Sequence, residues 1–264
     1  MARFSHQPSP FIFPFALSSG YHPTMKPEAP FLLVYLDAYH LGDPLFMRGF
    51  AGDVKAHVGP LILVHGSGEE AERALEARGL LTEEEKNGPE AQQLIERAIR
   101  DLNRRIVHEL NDAGVPAVGV FGVDRGLLRR SGRRDVEAGT VDWLVALARQ
   151  GGIPVVGGLV GTSADEFTEA DPAQVLVALA LAVEAATGVE ATVVAFTTNR
   201  KAGLFDGAKH LPTLSVNDLS SFPSVTEVEV LRRVTASVRV RLTTPHALAG
   251  ESPPGGTVLE AQDG

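Results

Sequence analysis

Cysteine is absent from the sequence. That removes disulfides and thiolate metal sites as sources of stability or chemistry, and it fits a reducing, cytoplasmic setting. Positive charge is also short: 24 Lys and Arg stand against 33 Asp and Glu, a net charge of -9 at pH 7. A duplex partner needs clustered cations, so no nucleic-acid partner is expected. The one basic cluster, Arg129, Arg130, Arg133 and Arg134, has no interleaved aromatics and reads as a solvated loop. Long apolar runs are missing as well. Residues 173–186 come nearest, but Gln174 and Glu184 interrupt them, so they read as a buried helix and no membrane partner is expected. No protein-held metal is expected either.

What the chain does have is concentrated in residues 61–76. Leu61-Ile62-Leu63-Val64 is an apolar run without alternation, as in a strand covered on both faces. His65-Gly66-Ser67-Gly68 follows as a turn, and Ala71, Ala74 and Leu75 then recur at helical spacing. A strand, glycine turn and helix present backbone N–H groups beyond the strand's carboxyl end, where an anion is welcome. An ordinary tight turn would look the same, and Glu69 and Glu70 in the first helical turn would repel a phosphate.

Similar apolar runs predict strands near residues 31–36, 117–121, 153–156 and 192–197, with a last short one at 256–259. A 3.6-residue period predicts an amphipathic helix from Pro89 to Asp112, and further helices are expected over 140–149 and 171–187. Asp171 before Pro172 has the form of an N-cap. Residues 42–58, with Gly42, Pro44, Gly49 and Gly52, allow at most a short, interrupted helix. Residues 225–242 alternate imperfectly and read as one or two strands or a poor helix. The alternation of strands and helices predicts an α/β fold, a three-layer α/β/α sandwich with a mainly parallel sheet over residues 30–264. Ligand-facing loops are then 65–68, 122–126, 157–169 and 198–204. Residues 1–29, rich in Pro, Ser and Phe, lack the basic start and apolar core of a secretory signal. They are expected to be an extension or loose arm, with Met25 an alternative start.

The order of motifs resembles the amino-acid kinase family, most of all its acetylglutamate kinases and almost equally the kinase of carrier-bound aminoadipate. Residues 61–68 are similar to that family's His-Gly-Gly-Gly segment. Asn103-Arg104-Arg105-Ile106-Val107, with Ala117-Val118-Gly119-Val120-Phe121-Gly122-Val123-Asp124, resembles its Asn-Lys-x-Ile-Val helix and following strand. Gly152-Ile153-Pro154-Val155-Val156 is similar to its Gly-x-Ile-Pro-Val strand. Glu169-Ala170-Asp171 stands in the place of Asn-x-Asn-Ala-Asp, and residues 198–204 in that of the Thr-Asp-x-x-Gly nucleotide loop.

The resemblance implies ATP-dependent phosphorylation, with Mg2+, of the side-chain carboxylate of an acylated amino acid. It implies a homodimer or higher homo-oligomer, paired through the helix over 89–112. By position it gives Asp171 the orienting role, Gly66, Ser67, Gly68, Lys86 and Glu169 the substrate and phosphates, and Thr198, Asn199, Lys201 and Gly203 the nucleotide. The family's two phosphate-binding lysines have no counterpart. The first strand ends in Leu36-Asp37 instead of lysine, and residues 224–241 hold neither Gly nor Lys for the late Gly-Met-x-x-Lys helix. Phe167 and Glu169 replace two asparagines, and Lys86-Asn87-Gly88 stands for an Arg-x-Thr grip. Lys201, Arg200, Arg232 and Arg233 are the replacement cations available, each also readable as a surface charge. Three readings stay open: an enzyme with a weakened site, the fold kept as a regulatory or structural partner, and a small-molecule sensor.

Overall fold

The computed structural model describes residues 29–132, 135–161, 167–250 and 252–261. The expected arm over residues 1–29 lies almost wholly outside these, as do Arg133 and Arg134. In chain order the elements begin with β1 (Phe31–Leu36), α1 (Ala38–Gly42), α2 (Phe46–Ala56), β2 (Leu61–His65), α3 (Glu70–Arg78), α4 (Glu83–Lys86) and α5 (Pro89–Asp112). β3 (Ala117–Phe121), β4 (Leu128–Ser131), β5 (Asp135–Ala138), α6 (Asp142–Arg149), β6 (Ile153–Gly157), β7 (Leu159–Gly161), β8 (Phe167–Glu169) and α7 (Pro172–Thr187) follow. The chain continues through β9 (Ala191–Phe196), β10 (Leu204–Asp206), β11 (Lys209–Leu211), β12 (Thr213–Ser215), α8 (Val228–Thr235), β13 (Arg239–Thr243) and β14 (Thr257–Glu260).

Eight strands form one sheet in the order β12-β14-β13-β9-β1-β2-β6-β3. The six from β13 to β3 are parallel neighbours, and β14 is antiparallel to β13. Each central strand is covered on both faces, which is why its sequence shows no alternation. Phe31, Leu33 and Tyr35 of β1 join Leu144, Leu176, Leu179 and Leu231 from α6, α7 and α8 in one core. Leu32, Val34 and Leu36 join Phe50, Val54, Leu102 and Ile106 from α2 and α5 in the other. This is a three-layer α/β/α sandwich. A second sheet, β5-β4-β7-β8, lies at the carboxyl-end side through β7 and β8, and β10 and β11 form a small hairpin.

Three expectations are corrected. Residues 42–58 carry the eleven-residue α2 despite Gly49 and Gly52. Two helical glycines cost about 2 kcal/mol, but burying Met47, Phe50 and Val54 returns about 1.5–3 kcal/mol for each side chain. Residues 225–242 are neither strands nor a poor helix alone: α8 is followed at once by β13. Arg129 and Arg130 sit on β4 rather than in a loop. The apolar face of α5 lies against the sheet through Ile99, Leu102, Ile106 and Leu110. Leu94 and Ala98 are left on a groove of about 290 Å3 shared with α3. Among the described residues no helix is long and apolar enough to cross a membrane.

Candidate functional site

Because β1, β2, β6 and β9 run parallel, their carboxyl ends open on one edge of the sheet, where the chain must turn and donors are left unpaired. The glycine turn after β2 is held from behind. His65 is buried, with Nδ1 2.7 Å from the Gly66 carbonyl oxygen and Nε2 3.0 Å from Asn103 Nδ2. The same Asn103 amide donates to the Val155 carbonyl at 2.8 Å, which fixes its orientation. Since that nitrogen can only donate, His65 accepts at Nε2 and donates from Nδ1. Burial, outweighing the bond to Gly66, pushes the His65 pKa down to about 4, so the ring is neutral at pH 7.

In front of the turn stands Glu169, brought there by β8. One carboxylate oxygen accepts from the Ser67 backbone N–H at 2.6 Å, the other from the Ser67 hydroxyl at 2.9 Å. A Cβ on Gly66 would come within 2.8 Å of Glu169 Oε1, so a side chain there would have to displace that carboxylate. Burial raises the Glu169 carboxyl above its ordinary range, against the pull of both Ser67 bonds.

At the end of β1, Asp37 is buried. It accepts from the His40 backbone N–H at 2.8 Å, lies 2.8 and 3.0 Å from His40 Nδ1, and accepts from the Thr226 hydroxyl at 2.7 Å. Burial would raise its carboxyl, but these His40 and Thr226 contacts hold it below the usual value. Burial pushes the neighbouring Tyr35 hydroxyl upward, and the charges of Glu227, Asp37, Glu169 and Asp171 push it further. Burial raises the Glu227 carboxyl too, with Asp37's charge adding to the effect. The strand ends are therefore surrounded by carboxylates. Asp171 caps α7, accepting from the Ala173 N–H at 2.9 Å through one oxygen and from Arg233 Nη1 at 2.8 Å through the other.

Residues 224–241, which lack the Gly and Lys expected of the late helix, nonetheless carry a helix, α8, entered through Glu227 at φ 54°, and Leu231 on it is buried in the core. Arg233, two residues on, reaches Asp171 instead. It is the one Arg or Lys among the described residues paired with these acids. Arg232 turns away to Glu229 and Ser220. Lys86 ends α4 and, among the described residues, bonds none of the other predicted site residues.

A second loop follows β9 at the same edge of the sheet. The Thr198 N–H donates to the Ser224 carbonyl at 2.9 Å, and Asn199 Nδ2 to that of Gly203 at 3.1 Å. Gly203, at φ +86°, has Thr257 and His210 atoms within 2.8 Å of where a Cβ would stand. Thr257 Oγ1 accepts from the Leu204 N–H at 2.8 Å and donates to the Leu211 carbonyl at 2.6 Å. Beside this loop lies a cavity of about 510 Å3 lined by Asn199, Arg200, Lys201, Phe205, Phe222 and Ser224, among others.

The structure thus brings Gly66, Ser67, Glu169 and Asp171 to one end and Thr198, Asn199, Lys201 and Gly203 to the other; Gly68 closes the turn at φ +58°. The His65–Asn103 pair and the Asp37–His40–Thr226 cluster went unread as units. A polar residue directly after a non-alternating apolar run was the available signal for His65 and Asp37.

A sequence profile of the Amino acid kinase family matches residues 40–233. The acetylglutamate kinase of Chloroflexus aggregans is 37% identical over 99 residues, 36% of this chain and 39% of that protein. That of Oceanobacillus iheyensis is 31% identical over 118 residues, 40% of this chain and 44% of that protein. The match thus spans less than half the length of these relatives. An isopentenyl phosphate kinase structure superposes with a TM-score of 0.61 at 18% identity, over 87% of this chain and 99% of that one. The aspartate kinase of Synechocystis gives 0.62 at 15% identity, over 89% of this chain and 40% of that one, a likeness of fold alone. With the profile covering most of the α/β/α sandwich, the chain belongs to the amino acid kinase family.

Proposed function

We propose that this chain binds a nucleotide-like ligand in the cavity beside the β9 loop and does not pass a phosphoryl group to a carboxylate. Such a protein would serve as a sensor or as a partner of an active relative. The observation that carries this reading is Asp37, a buried carboxylate satisfied from within at the end of β1. Transfer of a γ-phosphoryl group needs preorganised positive charge around the group in flight. Here that position is acidic, and α8 turns a leucine inward.

The residues present fit part of ATP. The cavity near Asn199 has the size for a nucleoside, and Arg200 and Lys201 at its wall suit phosphate. The transferring end does not fit, because the Ser67 N–H that would meet a phosphate already holds Glu169. Mg2+ would have to arrive on the nucleotide, since among the described residues no three His, Asp or Glu converge as metal ligands. Self-association, as the resemblance implies, belongs to the same proposal and is tested by light scattering.

One observation favours the second reading, an acetylglutamate-kinase-like enzyme of arginine-biosynthesis type: Arg233 on Asp171 puts a cation near the orienting aspartate. Hydroxamate trapping with N-acetylglutamate and Mg-ATP separates the two. The expected result is thermal stabilisation by millimolar ATP with no hydroxamate above background. Robust hydroxamate formation, lost in Arg233→Ala, would establish the enzyme instead.

A further inference from the structure

We infer that the glycine turn is an oxyanion site whose resident ligand is the chain's own Glu169 carboxylate, and that a phosphate-class anion binds there only when Glu169 is withdrawn. The inference concerns what occupies the turn and stands whether or not the protein transfers phosphate. The carboxylate is clamped as a bound oxyanion would be, each oxygen taking one donor from Ser67, at 2.6 and 2.9 Å. Among the described residues Glu169 makes no ion pair, so neutral donors alone stabilise its charge, as they do for anions on backbone N–H groups.

Glu169 is delivered with little freedom. β8 pairs with β7 at Leu159, the Ala170 N–H donates to the Gly158 carbonyl at 2.8 Å, and the Gly158 N–H to the His65 carbonyl at 3.0 Å. The strand carrying the carboxylate and the strand carrying the turn are therefore stitched together beside the contact. Gly66 completes the fit, since a side chain there would collide with Oε1. The two residues in contact are also two departures from the resembled patterns: Ser67 stands in a glycine's place and supplies the second donor, and Glu169 stands in an asparagine's and supplies the anion. The contact thus works as an intramolecular block on the cradle.

Isothermal titration of the full chain with inorganic phosphate tests this. With Arg200 and Lys201 replaced by Ala in every variant compared, the chain with Glu169 should bind phosphate no more tightly than about 10 mM, whereas Glu169→Ala should bind it at least about tenfold more tightly, a gain of about 1.4 kcal/mol. Adding Gly66→Ala to that variant should abolish the gain, because the methyl fills the vacated volume. If Glu169→Ala does not fold, Glu169→Gln serves: it keeps one oxygen for the Ser67 N–H but loses the charge, and it should bind phosphate more tightly than the chain with Glu169. Equal phosphate affinity in the chain with Glu169 and the folded variants, or a gain that survives Gly66→Ala, would overturn the inference.

Discussion

Around the glycine turn, His65, Asn103, Ser67 and Glu169 bond one another or nearby backbone. At the β9 end, Arg200 and Lys201 face a cavity of about 510 Å3 and, among the described residues, have no carboxylate partner. Both ends sit at the carboxyl edge of the same parallel sheet, so the fold offers the same opportunity twice. The difference lies in whether the donors are already used. Buried polar groups demand partners, and a site that satisfies its own donors has none to give a ligand. Binding capacity in this family fold is thus read from unspent hydrogen-bonding groups rather than from the presence of a motif.

The most forceful way to break the contrast is at the open end. Gly203→Ala should destabilise the protein by about 3 kcal/mol or more, combining left-handed backbone strain with a collision in a packed site. Urea unfolding measures it, and nucleotide-dependent stabilisation should disappear with it. At the closed end, His65 is neutral and buried, with its pKa lowered from 6.5 to about 4. A group with a depressed folded-state pKa contributes stability above its unfolded value and loses it as pH falls through the folded one. Wild type should therefore lose about 3 kcal/mol between pH 6.5 and 4 from this group. His65→Gln should flatten that part of the profile.

Smaller effects sharpen the comparison. Replacing Arg200 and Lys201 together by Ala should weaken ATP binding by about tenfold, roughly 1.4 kcal/mol, with unfolding midpoints unchanged. Arg233→Ala should change stability by less than about 1 kcal/mol, because the pair with Asp171 is half exposed. A larger loss, measured by denaturant titration, would mean that the closed end depends on this cation.

The central strands were legible because burial on both faces writes itself as unbroken apolar runs: β1, β3 and β6 fall within a residue of where residues 31–36, 117–121 and 153–156 were expected. α5 was legible from its period. α2 was hidden because its glycines argue against a helix locally while its aromatic packing is tertiary. β13 was blurred by Arg239 and Arg241 alternating with buried Val240 and Leu242 directly after a short helix. Of the site, the turn and the β9 loop could be placed from sequence, but their state could not. Ser67 meets Glu169 across 102 residues and Asp37 meets Thr226 across 189, and no local pattern encodes such pairings.

β14 is inserted between β12 and β13, and Thr257 at its start ties Leu204 to Leu211. That placement sets a timetable for the nascent chain. β1, β2, β3 and β6 have all been synthesised by residue 157 and Glu169 follows twelve residues later, so the glycine-turn side can assemble while translation continues. The β9 side waits for a strand that ends only at Glu260, about a hundred residues later and roughly 5–20 s at ordinary elongation rates. β13, complete at Thr243, then carries an open edge until β14 is made, the feature most exposed to wrong pairing. A ligand held at the β9 end, as proposed, would reward the finished fold but would reach the growing chain too late to guide it.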